Sequence, residues 1–534
     1  MRASRIASIL SGAAALLLSN RLAPAGGLVL PGSGPVSTGR AGASVASIDD
    51  PAAIGINPAG LAKTRGTVVH IGTALVAYHQ TVGRAGVYED NPDAVLPWEG
   101  QPYGSVSDTS KPAIGIGQFQ AVPVIAVSSD LGGKVKGLVV AAGVFAPNAY
   151  PVRNMAGDYE LEDPTRPPPP TRYDTLEQKA AVVLPSIAAA YRITDKLDVG
   201  ARFSFGFAAL EARTYVWGLA NFDEWAGRDG EFSVNVKDPF VPAFGLGATF
   251  RPSPKFEVGA QLSSPINVAA KGTGSSITGS GNEFNGTPVT VLPNNETGLC
   301  SPEGGGVPGA FKACVNLSLP MMASVGGRYI VRDAGGAQVA DVELDVQYEA
   351  WSGSSDYQVI VDGIAAIEPG PPPIGLTLQP TKIRHNLQDT FSIRLGGSWR
   401  LLSIPAIGAK ALVLRAGVAH DTAAAKEGWQ RADFDGAARW TMAVGASLAL
   451  KKVRIDVGGG MVYEGTRTQG TDCNPTRIGE GCGPGGMALG VDDRVGPDPI
   501  QPTSDSSGQQ ESPFNAGTIT SGYNLLMLGV TTWF

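Results

Sequence analysis

The chain has 534 residues and a formal net charge of -7, with 71 glycines and only 17% charged residues. Glycine is roughly twice as frequent as in ordinary globular proteins, and charged residues fall below the usual ~25%. The negative balance excludes a strongly basic nucleic-acid-binding surface, and no change in composition divides the chain into separate soluble domains.

The first 25 residues have the form of an export signal. Arg2 and Arg5 supply a positive start, residues 9–18 supply an apolar core, and Ala23-Pro24-Ala25 supplies a small-residue cleavage site. The apolar core is too short to cross a bilayer as a helix. We therefore assign residues 1–25 to a signal peptide and expect the mature chain to begin near Gly26.

Beyond residue 66 the hydrophobic pattern has a period of two, which is typical of β-strands. The stretch LDVGARFSFGFA, residues 197–208, places apolar side chains on one face and Asp198, Arg202 and Ser204 on the other. The stretches VELDVQYEAW, FSIRLGGSWRL and VRIDVGGGMVYE repeat this pattern. We predict fourteen strands, at residues 67–82, 118–130, 136–149, 176–193, 197–215, 231–251, 255–271, 312–331, 338–361, 383–401, 409–422, 435–450, 453–467 and 518–534.

The connections between these strands alternate strictly between short and long. The short ones are rich in turn residues, such as Gly132-Gly133-Lys134 and Thr194-Asp195-Lys196. An outer-membrane barrel has this form, with tight turns on the periplasmic rim and long loops on the other. A soluble β-sandwich is the alternative, but it has no reason to sort its loops in this way. We therefore assign residues 67–534 to an all-β, antiparallel transmembrane barrel.

Four cysteines in an exported chain favour disulfide bonds, although four cysteines allow three pairings. Cys300 and Cys314 flank one long connection, and Cys473 and Cys482 lie close together in another. We predict that each of these local pairs forms a disulfide. A zinc site is the weaker alternative, because no histidine lies near either pair.

Catalytic signatures are missing from the sequence. The four histidines lie on or beside predicted strands, with no serine elbow and no HExxH spacing. The stretch GGKVKG at residues 132–137 lacks the phosphate-binding loop pattern. We therefore expect no enzyme activity, no cofactor, no metal site and no ATP-driven step. A hydrolase built on adjacent membrane strands is the weaker alternative.

The segment GRAGASVASIDDPAAIGINPAGLAKTRG, which precedes the first strand, resembles the N-terminal signature of the FadL/TodX family of outer-membrane transport proteins for hydrophobic compounds. The resemblance includes the triplet Asn57-Pro58-Ala59. It continues through AAYRITDKLDVGARFSF, FRPSPKFEVGAQLSSPINVAAKG, LSLPMMASVGG, YEAWSGSSDY and DTFSIRLGGSWRL, and it ends with the terminal Phe534. The order and spacing of these motifs are more specific than any one of them.

The resemblance implies a barrel of fourteen strands in which residues 26–66 fold into the lumen as a small hatch. Small residues allow a short segment to pack tightly inside a barrel, and Asp49-Asp50 and Asn57-Pro58 supply capping and turn chemistry. The alternative is a disordered periplasmic tail, but the segment has few charges for a solvated tail.

The resemblance also implies a function, the passive uptake of long-chain fatty acids or other hydrophobic compounds across the bacterial outer membrane. The alternatives are a general diffusion porin, which needs an open aqueous lumen, and a surface adhesin that uses the long loops at 272–311 and 468–517. We expect a monomer with extracellular long loops and periplasmic termini. Its expected partners are the hydrophobic ligand, outer-membrane lipid and the barrel assembly machinery, which recognises terminal aromatic residues such as Phe534. We expect no nucleic-acid partner.

In FadL-like proteins the third strand kinks inward and opens a gap in the barrel wall toward the bilayer. The matching stretch here, VVAAGVFAPNAYP, contains Gly143, Ala146, Pro147 and Asn148, and Pro147 has no N–H for the ladder. We predict a lateral exit for ligand at these residues. The alternative is that the strand simply ends there, since Pro147 is about the eleventh residue after the turn and a membrane strand needs about ten.

Four arginines on the predicted polar faces are candidates to bind a ligand carboxylate. They are Arg202, Arg394, Arg400 and Arg454. The alternative, which we favour at this point, is that they stabilise the barrel by pairing across the lumen with acidic residues, namely Glu343, Asp345, Glu349 and Asp456.

Overall fold

The computed structural model describes residues 32–84, 88, 97–112, 115–146, 152–156, 166–216, 230–278, 288–292, 300, 310–361, 364–367, 376–377, 381–401, 409–426, 429, 431–434, 436–469 and 517–534. The predicted signal peptide lies outside these residues, as do Pro147 and Asn148 of the predicted lateral exit. The predicted Cys473–Cys482 pair also lies outside them.

Fourteen strands, each antiparallel to its neighbours, form the wall of a closed barrel. Their bounds are β1 Thr67–Arg84, β2 Phe119–Ser129, β3 Leu138–Phe145, β4 Glu177–Thr194, β5 Leu197–Val216, β6 Gly230–Ser253, β7 Phe256–Ser263 with Ile266–Thr278, β8 Phe311–Leu319 with Met322–Arg332, β9 Gln338–Glu349 with Asp356–Ile360, β10 Thr381–Arg384 with Thr390–Leu401, β11 Ala411–Asp421, β12 Arg439–Ala449, β13 Val453–Gln469 and β14 Gly517–Trp533. Pairing of β14 with β1 closes the barrel. The predicted fold class and strand number are confirmed.

Shorter elements accompany the wall. The strands Ser105–Ser107, Gly115–Ile116 and Arg153–Asn154 pair with β1, β2 and β4, respectively. Val289–Leu292, Ile364–Ile367 and Leu376–Thr377 form a separate three-stranded sheet. The helices are α1 Gly34–Thr38 and α2 Ala53–Ile56, with 3-10 turns at Pro58–Lys63, Leu131–Gly133 and Trp351–Ser354. No helix in the described part of the chain is long and apolar enough to cross a membrane.

The period of two places apolar side chains outside and polar ones inside. On β5, Phe205 and Phe207 are 47% and 44% exposed on the outer surface, whereas Asp198 and Ser204 are fully buried on the inner one. This is the arrangement that a barrel needs when its outer face contacts lipid. The tight connections all lie on one rim, the short-turn rim, where Asp195-Lys196 joins β4 to β5 and Pro254-Lys255 joins β6 to β7.

Four strands differ from the continuous ranges that the sequence predicted, because β7, β8, β9 and β10 each consist of two segments. Pro265 lies at the break in β7 and Pro320 at the break in β8. Proline has no N–H to donate to a ladder, so strands break where it occurs. In β9 the 3-10 turn Trp351–Ser354 separates the two segments.

The N-terminal segment, residues 32–66, lies inside the barrel. A β-carbon added at Gly200 of β5 would lie 2.4 Å from the carbonyl carbon of Pro58, and one added at Gly417 of β11 would lie 2.2 Å from that of Arg40. A short segment can touch such distant strands only from within the lumen. Inward glycines that leave room for it occur all round the wall, at Gly72, Gly200, Gly247, Gly259, Gly396, Gly417 and Gly529.

Candidate functional site

The Asn57-Pro58-Ala59 triplet joins the N-terminal segment to the wall. The buried Asn57 amide donates to the carbonyl oxygen of Val45 at 2.8 Å and to that of Ala248 on β6 at 3.1 Å. Its Oδ1 accepts the N–H of Ala59 at 3.1 Å, which caps the 3-10 turn that follows. A β-carbon at Gly247 would lie 2.1 Å from this Oδ1, so the wall needs glycine there.

Carboxylates on β9 hold a buried cation of the N-terminal segment. Arg40 donates to Asp341 at 2.6 Å and to Glu343 at 3.0 Å, and all three side chains are at most 2% exposed. Glu343 also accepts the N–H of Ala46 at 2.6 Å. A buried ion pair is tolerated only when its remaining hydrogen-bonding capacity is satisfied, and these contacts satisfy it.

Asp345, two residues further along β9, binds the backbone of the same segment. Its Oδ2 accepts the N–H of Ser44 at 2.8 Å and that of Val45 at 3.0 Å. Three alternate positions of β9, Asp341, Glu343 and Asp345, therefore all bind the N-terminal segment. The alternation of β9 explains this match, because every second side chain points into the lumen.

A second ion pair fastens the segment to β13. Arg454 donates to Asp50 at 2.5 Å and to Asp456 at 3.0 Å. Burial raises the pKa of Asp50, but the Arg454 guanidinium, together with His70 and the Ala52 N–H, outweighs burial and holds the pKa below its ordinary value. Asp50 is therefore a carboxylate at neutral pH.

The inner faces of β2–β8 carry an apolar region beside ion pairs such as Arg192–Asp198 and Lys63–Glu257. Buried aliphatic and aromatic side chains from the N-terminal segment, from the inner faces of β2–β8 and from the long-loop side form one continuous group, which we call the lumen cluster. Its members include Ile48, Ile54, Leu61, Val124, Val139, Phe145, Val182, Leu184, Val234, Val236, Val241, Ala243, Ile266, Val268, Ala270, Val315, Leu319, Trp351, Leu387 and Phe434. Such a lining is suited to hydrophobic molecules and unsuited to ions.

Arg202 is the one cation of the four candidates that borders this cluster without a carboxylate partner among the described residues. It donates to the carbonyl oxygen of Ile54 at 2.7 Å and to Ser263 Oγ at 3.3 Å, and its guanidinium lies 4.7 Å from the centre of the Phe145 ring. The side chain is buried, and its Nε has no hydrogen-bond partner. Within the described part of the chain, its positive charge therefore contacts neutral oxygens and an aromatic ring.

The other three candidate arginines have different environments. Arg394 lies 3.5 Å from Asp421, and Arg454 holds Asp50 and Asp456 as described. Arg400 is exposed. The acidic residues proposed as their partners mostly bind other groups, since Glu343 pairs with Arg40 and Glu349 accepts the indole N–H of Trp351 at 2.7 Å.

The third strand is paired on both sides up to Phe145. Phe145 lies opposite Val124 of β2 and Leu184 of β4, and the strand ends there. Gly143 faces inward, where an added β-carbon would lie 2.7 Å from the Ala126 side chain. Ala146 packs against the inner-face cluster that contains Ala74, Val76 and Val122. Of the four predicted exit residues, Gly143 is thus paired on both sides, and Ala146 lies one residue beyond the end of the described pairing.

The predicted Cys300–Cys314 disulfide is present. The bond joins Cys300, in the long connection that precedes β8, to Cys314, near the start of β8. Whether Cys473 bonds Cys482 remains a prediction.

Sequence reasoning missed several residues of the site. Arg40 lies in a segment that has few charges, and it faces a strand whose inner face carries Asp341, Glu343 and Asp345. That complementarity is a signal that the sequence does contain. Phe145 gives no such signal, because its contact with Arg202 depends on the pairing of β3, β4 and β5.

A family model described as "Outer membrane protein transport protein (OMPP1/FadL/TodX)" matches residues 16–473. No curated protein matches the sequence. A Pseudomonas aeruginosa FadL homologue has a similar fold, with a TM-score of 0.65 and 14% identity over 95% of this chain and 100% of that one.

Two transporters of named substrate also have a similar fold. The P. putida toluene transporter TodX gives a TM-score of 0.57 and 13% identity, over 95% of this chain and 99% of that one. The Ralstonia pickettii toluene transporter TbuX gives a TM-score of 0.54 and 17% identity, over 95% of this chain and 99% of that one. At these identities the likeness concerns the fold alone.

Proposed function

We propose that the chain, which belongs to the OMPP1/FadL/TodX family of outer membrane transport proteins, moves hydrophobic compounds passively across the bacterial outer membrane. The observation that carries this proposal is the lumen cluster. It runs without interruption from the long-loop side through the inner faces of β2–β8 to Ile54 of the N-terminal segment and to Phe145 at the end of β3.

In this proposal the N-terminal segment is the hatch. It occupies the lumen near the short-turn rim, where it is held by Arg40, Asp50 and Asn57. A barrel closed in this way is poorly suited to be a general diffusion porin, which needs an open aqueous lumen. The short-turn rim is then periplasmic, and the long loops are extracellular.

The proposed exit is lateral, at the end of β3. Beyond Phe145, β2 remains paired with β1 as far as Gln120, and β4 remains paired with β5 as far as Glu177. The wall therefore continues on both sides of the position where β3 ends. A hydrophobic ligand that leaves here enters lipid directly and avoids the free-energy cost of crossing periplasmic water.

The proposed ligands include compounds with a carboxylate, such as long-chain fatty acids. Arg202 lies beside Phe145 and the lumen cluster and has no carboxylate partner in the described residues. A ligand carboxylate would supply the missing charge through a charge-assisted hydrogen bond. An apolar lining with one convergent charged group is the usual form of a site for an amphipathic molecule.

Two variants test these assignments. Uptake of radiolabelled oleate is measured in cells that lack their own fatty-acid transporter, and folding of each barrel is checked by heat-modifiable migration. Ala146→Trp should lower oleate uptake, because the indole fills the space beside the end of β3. Unimpaired uptake by a folded Ala146→Trp barrel would contradict the lateral exit. A large, steady, salt-dependent current in planar bilayers would instead favour the porin.

The second variant, Arg202→Met, tests the carboxylate. Loss of a hydrogen bond to a charged group costs ~1.5–3 kcal/mol, so the affinity for oleate should fall roughly 10- to 100-fold. The affinity for hexadecane, which has no carboxylate, should stay the same. Equal losses for both ligands would show that Arg202 acts only on the structure of the lumen.

A further inference from the structure

A second interruption of the wall lies between β6 and β7. The two strands pair from Gly245↔Ser263 toward the short-turn rim and from Lys237↔Lys271 toward the long loops. Residues 238–244 and 264–270, which are all described, form no ladder with each other beyond one backbone hydrogen bond, in which the Ser264 N–H donates to the Phe244 carbonyl oxygen at 2.9 Å. The strand register is the same on the two sides of this unpaired region, because the unpaired stretch of β6 is as long as the unpaired stretch of β7. We call these two stretches the β6–β7 seam.

The two strands are out of phase within the seam. Val241 is fully buried, but the register places it opposite Asn267, which is exposed. Phe240 is 56% exposed, but it lies opposite Val268, which is 5% exposed. Opposite residues of an antiparallel ladder face the same side of the sheet. The seam therefore cannot pair unless one strand is rearranged.

The backbone donors that border the seam are satisfied without a ladder. Asp238 accepts the N–H of Phe240 at 3.1 Å and that of Ala269, across the seam, at 2.7 Å. Ser264 Oγ accepts the N–H of Phe244 at 2.9 Å. Prolines at positions 239, 242 and 265 have no N–H at all. An unsatisfied backbone group costs several kcal/mol in lipid, so these side chains and prolines make an unpaired stretch tolerable.

Both faces of the seam are apolar. Val241, Ala243 and Ile266 belong to the lumen cluster on the inner side. Phe240 and Phe244 are each 56% exposed on the outer side. The seam also lies at the height of the β3 end. Val144, next to the last residue of β3, lies opposite Pro185 of β4. A short way round the wall, Pro242 in the seam lies opposite Phe205 of β5.

We propose that the β6–β7 seam is a second lateral passage, through which uncharged apolar compounds move between the lumen cluster and the outer-membrane lipid. This inference rests on the proposed function. Asp238 lines the seam at its long-loop end, where it accepts the N–H of Ala269. Arg202 lies between the two passages, since its guanidinium lies 4.7 Å from the centre of the Phe145 ring and donates to Ser263 Oγ at the short-turn end of the seam. A ligand carboxylate meets the negative charge of Asp238 only at the seam, and a neutral hydrocarbon is not affected by that charge.

The test compares uptake of naphthalene, an uncharged aromatic probe, by cells that carry each variant of the full-length barrel. Ala269→Trp places an indole on the outer side of the seam and should lower naphthalene uptake. Ala446→Trp is the matched control, because Ala446 faces outward on the complete β12–β13 ladder, opposite Val457. The control should leave uptake unchanged.

The double variant Ala146→Trp with Ala269→Trp should lose the uptake that each single variant retains. If Ala146→Trp alone abolishes naphthalene uptake, or if Ala269→Trp matches its control, the second passage is contradicted while the proposed function stands. If wild-type cells take up naphthalene no faster than cells without the barrel, the proposed function itself fails for this ligand class.

A labelling experiment on the wild-type protein covers the case in which Ala269→Trp does not fold. A diazirine derivative of naphthalene should label residues 238–244 or 264–270 of the folded barrel in outer-membrane vesicles. Labelling that is confined to β2–β4 would contradict the proposal.

Discussion

The two sides of the lumen hold the N-terminal segment in different ways. On the side of β9 and β13, buried ion pairs fasten Arg40 and Asp50. The ladders of β9 with β8 and β10 are interrupted near the turn Trp351–Ser354, but those from β10 through β14 to β1 continue with a single bulge at Glu464. On the side of β3–β7 the segment meets mainly apolar side chains and glycines, although Lys63 also pairs with Glu257 of β7 at 3.3 Å. The ladder lapses at the end of β3 and at the β6–β7 seam.

The difference follows from the physics of the two kinds of contact. A buried ion pair is strongly directional, and loss of one partner leaves an expensive unpaired charge. An apolar contact has no preferred direction and is exchanged for contact with an apolar ligand at little cost. The side of β9 and β13 therefore fixes residues 40–50 of the segment by directional contacts, and the apolar contacts on the side of β3–β7 can be exchanged for contacts with a hydrophobic molecule.

The largest expected effect on the stability of the seated segment comes from removing an ion pair on the side of β9 and β13. Arg40→Ala leaves Glu343 buried without its cation, which should destabilise the seated segment by about 3–5 kcal/mol. Limited proteolysis should then cut the N-terminal segment in a barrel that remains folded, and the conductance in planar bilayers should rise. Arg332→Ala is the control, because Arg332 is exposed and donates only to backbone carbonyls of Pro254 and Gly336. Equal protease resistance in both variants would remove the distinction between the two sides.

A smaller effect on the stability of the seated segment is expected where the segment packs against β6. Gly247→Ala places a β-carbon 2.1 Å from Asn57 Oδ1, and overpacking of this kind typically costs about 1–3 kcal/mol. The thermal midpoint for release of the segment, followed by the protease assay, should fall. Gly353→Ala is the matched control, since no atom lies within 4 Å of a β-carbon added there. A midpoint that falls equally in both variants would indicate a general loss of wall stability instead.

The smallest expected effect is a loss of stability of the seated segment at acidic pH. The pKa of Asp50 in the folded protein lies below its ordinary value, since the nearby Arg454 outweighs the effect of burial. A group of this kind stabilises the fold fully above its ordinary pKa, about 3.9 for aspartate, and loses that contribution as pH falls through the lowered value. Protease release of the segment should therefore increase only below about pH 4.

Asp50→Asn checks the acid response. The amide cannot titrate, so the variant should be less stable at neutral pH and its release should change less between neutral and acidic pH. The same acid dependence in the variant and in the wild type would assign the response to other carboxylates.

Several features of the fold were predictable from sequence because their causes are local. Alternation along β5 and β9 follows from neighbouring residues alone, and so do tight turns such as Asp195-Lys196. The pairing of Cys300 with Cys314 is also local, since the two residues are separated by 14 positions. Alternation with strictly alternating loop lengths predicted an antiparallel barrel, and the family resemblance implied the same number of strands, fourteen.

The partners inside the lumen depended on tertiary structure. Arg202, Arg394 and Arg454 share one sequence pattern, but only Arg202 lies against the lumen cluster with no carboxylate partner in the described chain. The breaks in β7 and β8 occur at prolines that the sequence displays, yet the out-of-phase stretch arises only when β6 and β7 are placed side by side. Sequence determines which face a residue takes because alternation acts over two positions. Only the closed barrel decides what that face meets, because contacts such as Arg40 with Asp341 join residues about three hundred positions apart.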